Sequence, residues 1–128
     1  MTYVLIADPD ITGRKALILL LAQKFGIAEI VEAGDAETLI RCLARNTFDI
    51  LLLDWKLYGA PAPETCRLIL KAYPNLKIIL LSVDAADSKI AQDAGAAFIH
   101  KGASPDQVIA VLEPLVEDMA ARTHFPGE

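Results

Sequence analysis

Asp54 closes the run Asp49-Ile50-Leu51-Leu52-Leu53, an unbroken aliphatic stretch that ends in a carboxylate. The stretch has no helical amphipathic period. Asn46-Thr47 precede it and Gly59-Ala60-Pro61 follow it. Such a pattern is a strand buried on both faces, as in a parallel sheet covered by helices. In an open α/β sheet, ligands bind in the crevice beyond the carboxyl ends of the strands. Asp54 therefore points at the place where this fold would keep a site. Asp8, Ser82 and Lys101 end other apolar runs in the same way.

Strand-like runs recur at residues 3–7, 29–32, 50–53, 77–81 and 97–100, and helical patterns alternate with them. The first helix is expected over residues 12–25, stopped by Gly26. The second opens at Asp35 as N-cap and carries Ala36, Leu39 and Leu43 on one face. A third takes Pro63 in its first turn and ends before Pro74. A short fourth spans residues 85–94, and the fifth opens on the capping box Ser104-Pro105-Asp106-Gln107. Strands alternating with helices give a parallel sheet with helices on both faces. Pro114 lies inside the fifth pattern and predicts a kink or break. The first helix is apolar nearly all round (Leu17 to Leu21). This predicts either deep seating against the fifth helix or a homodimer surface.

A chain of 128 residues is one domain in size, and its 54% apolar but only 6% aromatic composition predicts an aliphatic core. A net charge of −5 argues against direct binding to nucleic acid or an anionic membrane. Cys42 and Cys66 have no metal-like spacing and read as reduced, packed thiols. No stretch has the length of a membrane span, and no signal peptide is evident. The expectation is a soluble, cytoplasmic domain over residues 1–121, with 122–128 as a frayed tail. His100 and His124 show no metal-binding pattern.

The four strand-end residues form a chemical set. Two carboxylates suit a hard divalent cation such as Mg²⁺, which prefers oxygen ligands. A lysine and a hydroxyl suit the oxygens of a phosphoryl group. The chemistry implied is phosphoryl transfer onto a carboxylate, followed by hydrolysis.

With those residues in view, nearly the whole chain, from about residue 3 to about 121, resembles a response-regulator receiver domain of bacterial two-component signalling, the chemotaxis-regulator (CheY-like) type. The matching pieces are Leu5-Ile6-Ala7-Asp8 with Arg14, Phe48 to Asp54 with Gly59, Ile78-Ile79-Leu80-Leu81-Ser82, and Ala94 to Lys101. Lys101-Gly102-Ala103-Ser104-Pro105 is similar to the NarL/LuxR subgroup, whose receivers often precede a helix-turn-helix DNA-binding domain. The resemblance implies a flavodoxin-like, doubly wound five-stranded parallel sheet of order 2-1-3-4-5.

By position, the resemblance makes Asp54 the phospho-acceptor. Asp8, Asp54 and the Lys56 backbone carbonyl become Mg²⁺ ligands. Ser82 and Lys101 become phosphoryl-binding groups, and Phe98 the aromatic that follows the Ser82 switch. Lys56 and Asp84 occupy positions that tune phosphoryl lifetime, and they either pair across the mouth of the site or stand as two solvated surface charges. The implied partners are a histidine kinase or phosphotransfer protein, and a downstream protein or an output domain outside this chain. Enzymatic activity would extend no further than self-catalysed phosphotransfer and autodephosphorylation.

The chain departs from the family pattern in three places. Pro9 stands where a second acid usually supplies a direct Mg²⁺ ligand, with Asp10 as a possible substitute, so metal affinity is expected to be reduced. Tyr58 replaces a usual proline, and the fourth-helix region is shorter than usual. Two alternatives follow. One is a pseudo-receiver that uses the fold for protein interaction without phosphoryl chemistry. The other is a haloacid-dehalogenase-like phosphatase, because Asp8-Pro9-Asp10-Ile11-Thr12 resembles that family's nucleophile motif and would move the nucleophile to Asp8.

Overall fold

The computed structural model describes residues 1–122 of the chain. Strands β1 (Tyr3–Ala7), β2 (Glu29–Ala33), β3 (Ile50–Asp54), β4 (Lys77–Ser82) and β5 (Ala97–His100) alternate with five helices. These are α1 (Ile11–Phe25), α2 (Ala36–Arg45), α3 (Ala62–Ala72), α4 (Asp87–Asp93) and α5 (Pro105–Arg122). All strand pairs are parallel, in the order β2-β1-β3-β4-β5.

Alternate residues of each strand feed two separate cores, because successive strand side chains point to opposite faces. Leu5, Leu51, Leu53, Ile78 and Leu80 pack beneath α2, α3 and α4 with Leu39, Leu43, Cys66, Ile69 and Ala91. Val4, Ile6, Ile50, Leu52, Ile79, Leu81 and Ile99 pack on the other face with Leu21 of α1 and Val108, Leu112 and Met119 of α5. β3 is buried along its whole length, since both faces are covered.

The caps follow the sequence. Asp35 accepts the Thr38 N–H at 2.8 Å, and Ser104 and Gln107 close a reciprocal capping box at the start of α5. Gly26 ends α1 in the left-handed region at φ 64°, where it returns its N–H to Ala22. Five apolar residues of α1 (Leu17, Ile18, Leu20, Leu21 and Phe25) pack into the core shared with α5. Of the large apolar residues of this helix, Ile11 and Leu19 remain exposed. The helix is thus seated against its neighbour, as one of the two expectations had it.

Of the kink or break expected at Pro114, the break does not occur: α5 runs continuously through it. Pro114 and Ala110 both lie on the exposed face of the helix. The carbonyl that loses its partner there is therefore open to water, and the helix need not break. α4 is also shorter than expected, beginning at Asp87, because residues 83–86 form a turn. Arg122, expected as the first residue of the frayed tail, is the last residue of α5; the rest of that tail, with His124, lies outside the described residues.

Candidate functional site

Strand register places the first two acids together. Ala7 of β1 pairs with Leu53 of β3, so Asp8 and Asp54 follow on adjacent strands at the carboxyl edge of the sheet. The strand order reverses between β1 and β3, which is where this topology opens its crevice. Asp8, Asp54 and Ser82 are the buried polar residues of the described chain, at 1%, 3% and 4% exposure. Buried carboxylates need a partner, because desolvating an unpaired charge is costly.

That partner is Lys101. β5 lies beyond β4, and the Lys101 stem crosses over β4 to bring its ammonium to both acids. Nζ donates to Asp54 Oδ1 at 2.5 Å and to Asp8 Oδ2 at 3.0 Å. The Lys101 backbone N–H is itself fixed to the Ser82 carbonyl at 2.8 Å. Partial burial works against the charged ammonium. Hydrogen bonds and attraction from Asp54 and Asp8 outweigh it, and they hold the Lys101 pKa above the ordinary lysine value.

The remaining carboxylate oxygens are matched locally. Asp54 Oδ2 accepts the Lys56 N–H at 2.9 Å, and Asp8 Oδ1 accepts the Asp10 N–H at 2.8 Å across Pro9. Pro9 is thus the middle of a tight Asx turn, for which its fixed φ is suited. Arg14 secures the same loop, donating to the Asp8 carbonyl at 2.5 Å and to Glu32 at 3.0 Å.

Asp10 is the N-cap of α1, accepting the Thr12 N–H at 3.1 Å. Its other oxygen lies on the Gly13 side of the loop, where Asp8 Oδ2 also approaches, so a Cβ at this position would press on both carboxylates, at 3.3 Å from Asp8 and 3.4 Å from Asp10. Among the described residues no three acidic, histidine or cysteine side chains form a group that could hold a metal. Asp8 and Asp54 together offer two carboxylates, which suffices for Mg²⁺ only if water and backbone oxygen supply the rest.

Ser82 stands apart from this pair. Its Oγ accepts the Asp84 N–H at 3.1 Å and donates to Asp87 Oδ2 at 2.6 Å. The sequence had not singled out Asp87. Asp84 and Asp87 both follow Ser82 closely, and the fold alone decides which of them turns back to it. Lys56 and Asp84 are both exposed, and among the described residues no ion pair joins them. Asp84 spends its carboxylate on the Ala86 N–H at 3.0 Å instead. Phe98 is half-buried against the α2–α4 core, opposite Leu80. His100 bridges two loops: Nδ1 accepts the Gly102 N–H at 3.0 Å, so Nε2 carries the proton and donates to the Val83 carbonyl at 2.8 Å.

No described helix is long and apolar enough to cross a membrane. The chain is 28% identical over 115 residues to the response regulator UvrY of Escherichia coli (strain K12), a match covering 88% of this chain and 53% of that protein. It thus spans about half the length of the curated relatives it matches. Among solved structures it superposes on a CheY-like receiver domain protein from Methanospirillum hungatei with a TM-score of 0.80 at 22% identity, covering 95% of this chain and 98% of that one. The chemotaxis response regulator CheY4 of Vibrio cholerae gives 0.77 at 19% identity, covering 90% and 98%. The family model described as the response regulator receiver domain matches residues 4–113. The chain therefore belongs to the response regulator receiver domain family of two-component signalling.

Proposed function

We propose that Asp54 accepts a phosphoryl group from a phosphohistidine on a histidine kinase or phosphotransfer protein. The observation that carries this reading is the Lys101 ammonium joined to both Asp54 and Asp8 in a buried strand-end crevice. An Asp54 oxygen attacks phosphorus, a P–O bond forms as the donor's P–N bond breaks, and the leaving imidazole keeps the bond electrons and takes up a proton. Lys101 then balances charge on the phosphoryl oxygens, and the Ser82 hydroxyl donates to one of them. Hydrolysis reverses the modification: water attacks phosphorus, inorganic phosphate leaves, and the Asp54 carboxylate is restored.

Receiver domains bind Mg²⁺ at such an acidic site. Here Asp54, Asp8 and the Lys56 carbonyl would hold it, and the ion would neutralise charge between carboxylate and phosphoryl oxygens. Asp10 is a poor substitute for the acid that Pro9 replaces, because it caps α1. Lys56 and Asp84 lie exposed beside the two site strands, placed to modulate water access singly rather than as a pair. Phe98 follows the movement of Ser82 and carries it to the α4–β5 face, which a downstream protein or output domain reads.

A second reading, a pseudo-receiver working by protein contacts alone, is favoured by the two-carboxylate site and by the local use of both Asp8 oxygens. Incubation with Mg²⁺ and acetyl phosphate, followed by intact mass, separates the two. Phosphotransfer gives one added phosphoryl mass that Asp54→Asn abolishes. No added mass, with acetyl phosphate or with a kinase, leaves the pseudo-receiver.

A further inference from the structure

Building on the phospho-acceptor reading, we infer that Asp87 is a positioning residue for the phosphoryl chemistry: its carboxylate holds the Ser82 hydroxyl at the start of α4 and off Asp54. A hydroxyl has one proton to donate. In Ser82 that proton goes to Asp87 Oδ2 at 2.6 Å, the short distance of a charge-assisted O–H···O⁻ bond. The Ser82 oxygen is meanwhile fixed by the Asp84 N–H at 3.1 Å. Both hydrogen-bonding functions of the hydroxyl are therefore committed within residues 82–87.

The acceptor side is equally committed elsewhere. Asp54 takes Lys101 on one oxygen and the Lys56 N–H on the other, and no hydrogen bond joins it to Ser82 among the described residues. Ser82 can donate to a phosphoryl oxygen on Asp54 only by withdrawing its proton from Asp87. That exchange leaves the Asp87 carboxylate without its donor and brings a second anion toward it. Both effects favour the unphosphorylated arrangement. Asp87 thereby sets how completely an incoming phosphoryl group recruits Ser82, and with it how far the start of α4 is released.

The competing role for Asp87 is a structural one, a first-turn acid that favours the N-terminus of α4. The two roles differ in sign. Loss of a purely structural acid loosens the site and weakens phosphoryl binding, whereas loss of the restraint strengthens it.

The test is a titration of the full chain with beryllofluoride, a phosphoryl mimic, in the presence of Mg²⁺. It is followed by the fluorescence of Trp55, the single tryptophan, which adjoins Asp54. Wild type is compared with Asp87→Ala, Asp87→Asn, Ser82→Ala and the Asp87→Ala/Ser82→Ala double variant, each with its melting temperature. Asp87→Ala is expected to bind about tenfold tighter, the scale of one hydrogen bond to a charged group. Asp87→Asn, which keeps an acceptor without the charge, falls between it and wild type. In the Ser82→Ala background the gain shrinks to about twofold or less, because the restrained hydroxyl is gone.

Binding by Asp87→Ala when wild type gives no response also supports the inference. Equal or weaker binding by Asp87→Ala and Asp87→Asn overturns it, as does an undiminished gain without Ser82. Silence in wild type and every variant contradicts the phospho-acceptor reading itself, and this inference with it.

Discussion

Lys101 and Asp54 meet at 2.5 Å although β4 lies between their strands, and the same ammonium reaches Asp8 at 3.0 Å. One cation thus offsets two carboxylates. Lys101→Met keeps the stem and removes the charge, leaving the two acids facing each other. At neutral pH it is expected to lose about 1–3 kcal/mol, less than a fully buried pair would because the lysine is partly exposed. On the alkaline side, the Lys101 pKa is raised above 10.5, so its contribution is complete below that pH and is lost as pH climbs through the folded value. Urea unfolding of both proteins from neutral pH to beyond 10.5 checks this. A difference that stays constant as pH climbs contradicts it.

Glu32 ties β2 to α1 by accepting from Arg14 Nε at 3.0 Å and Lys15 Nζ at 2.9 Å. The Lys15 bond lowers its pKa from 4.5; burial opposes this, and Arg14 adds to it. The stabilisation is present above 4.5 and disappears as pH falls through the lowered folded value. Glu32→Gln should therefore cost about 0.5–1 kcal/mol at neutral pH and nothing in strong acid. Thermal melts at the two pH values test this, and a cost that persists in acid would point to lost packing.

Pro114 lies within a continuous α5 although proline is disfavoured in helix interiors by roughly 3 kcal/mol against alanine. Pro114→Ala restores an N–H facing the Ala110 carbonyl on the exposed side. A gain of about 1–3 kcal/mol, read as a higher melting temperature, is expected. No gain would mean that α5 adjusts fully around the proline.

Pro9→Asp supplies the acid that most receivers carry at this position. Mg²⁺ affinity, read from Trp55 fluorescence, should rise about tenfold, one more carboxylate for a hard cation. Unchanged affinity would show that the Asp8–Lys101 pair, and not the missing acid, governs the metal.

The sheet was legible because β3 and β4 are aliphatic without helical period, and because Asp35, Gly26 and Ser104-Gln107 are unambiguous caps. Asp8, Asp54 and Lys101 could be found as polar endings of apolar runs, and they do converge. Contacts decided by loop geometry were not legible. Nothing in Ser82-Val83-Asp84-Ala85-Ala86-Asp87 tells which acid turns back to the serine, since the answer depends on where residues 83–86 stop being a turn. Lys56 and Asp84 likewise form no ion pair among the described residues, and Asp84 Oδ1 takes the N–H of Ala86, two residues along the chain. That α5 runs unbroken through Pro114 was not legible either, because a proline in the chain does not announce whether the carbonyl it orphans will face water.

The most direct measurement is peptide mapping of the phosphorylated chain by mass spectrometry after reaction with Mg²⁺ and a phosphodonor, with borohydride reduction to trap the acyl phosphate. The modification is expected on Asp54, absent from Asp54→Asn and reduced in Lys101→Met. A stable adduct on Asp8, or an unmodified chain under every donor, would contradict Asp54 as the acceptor.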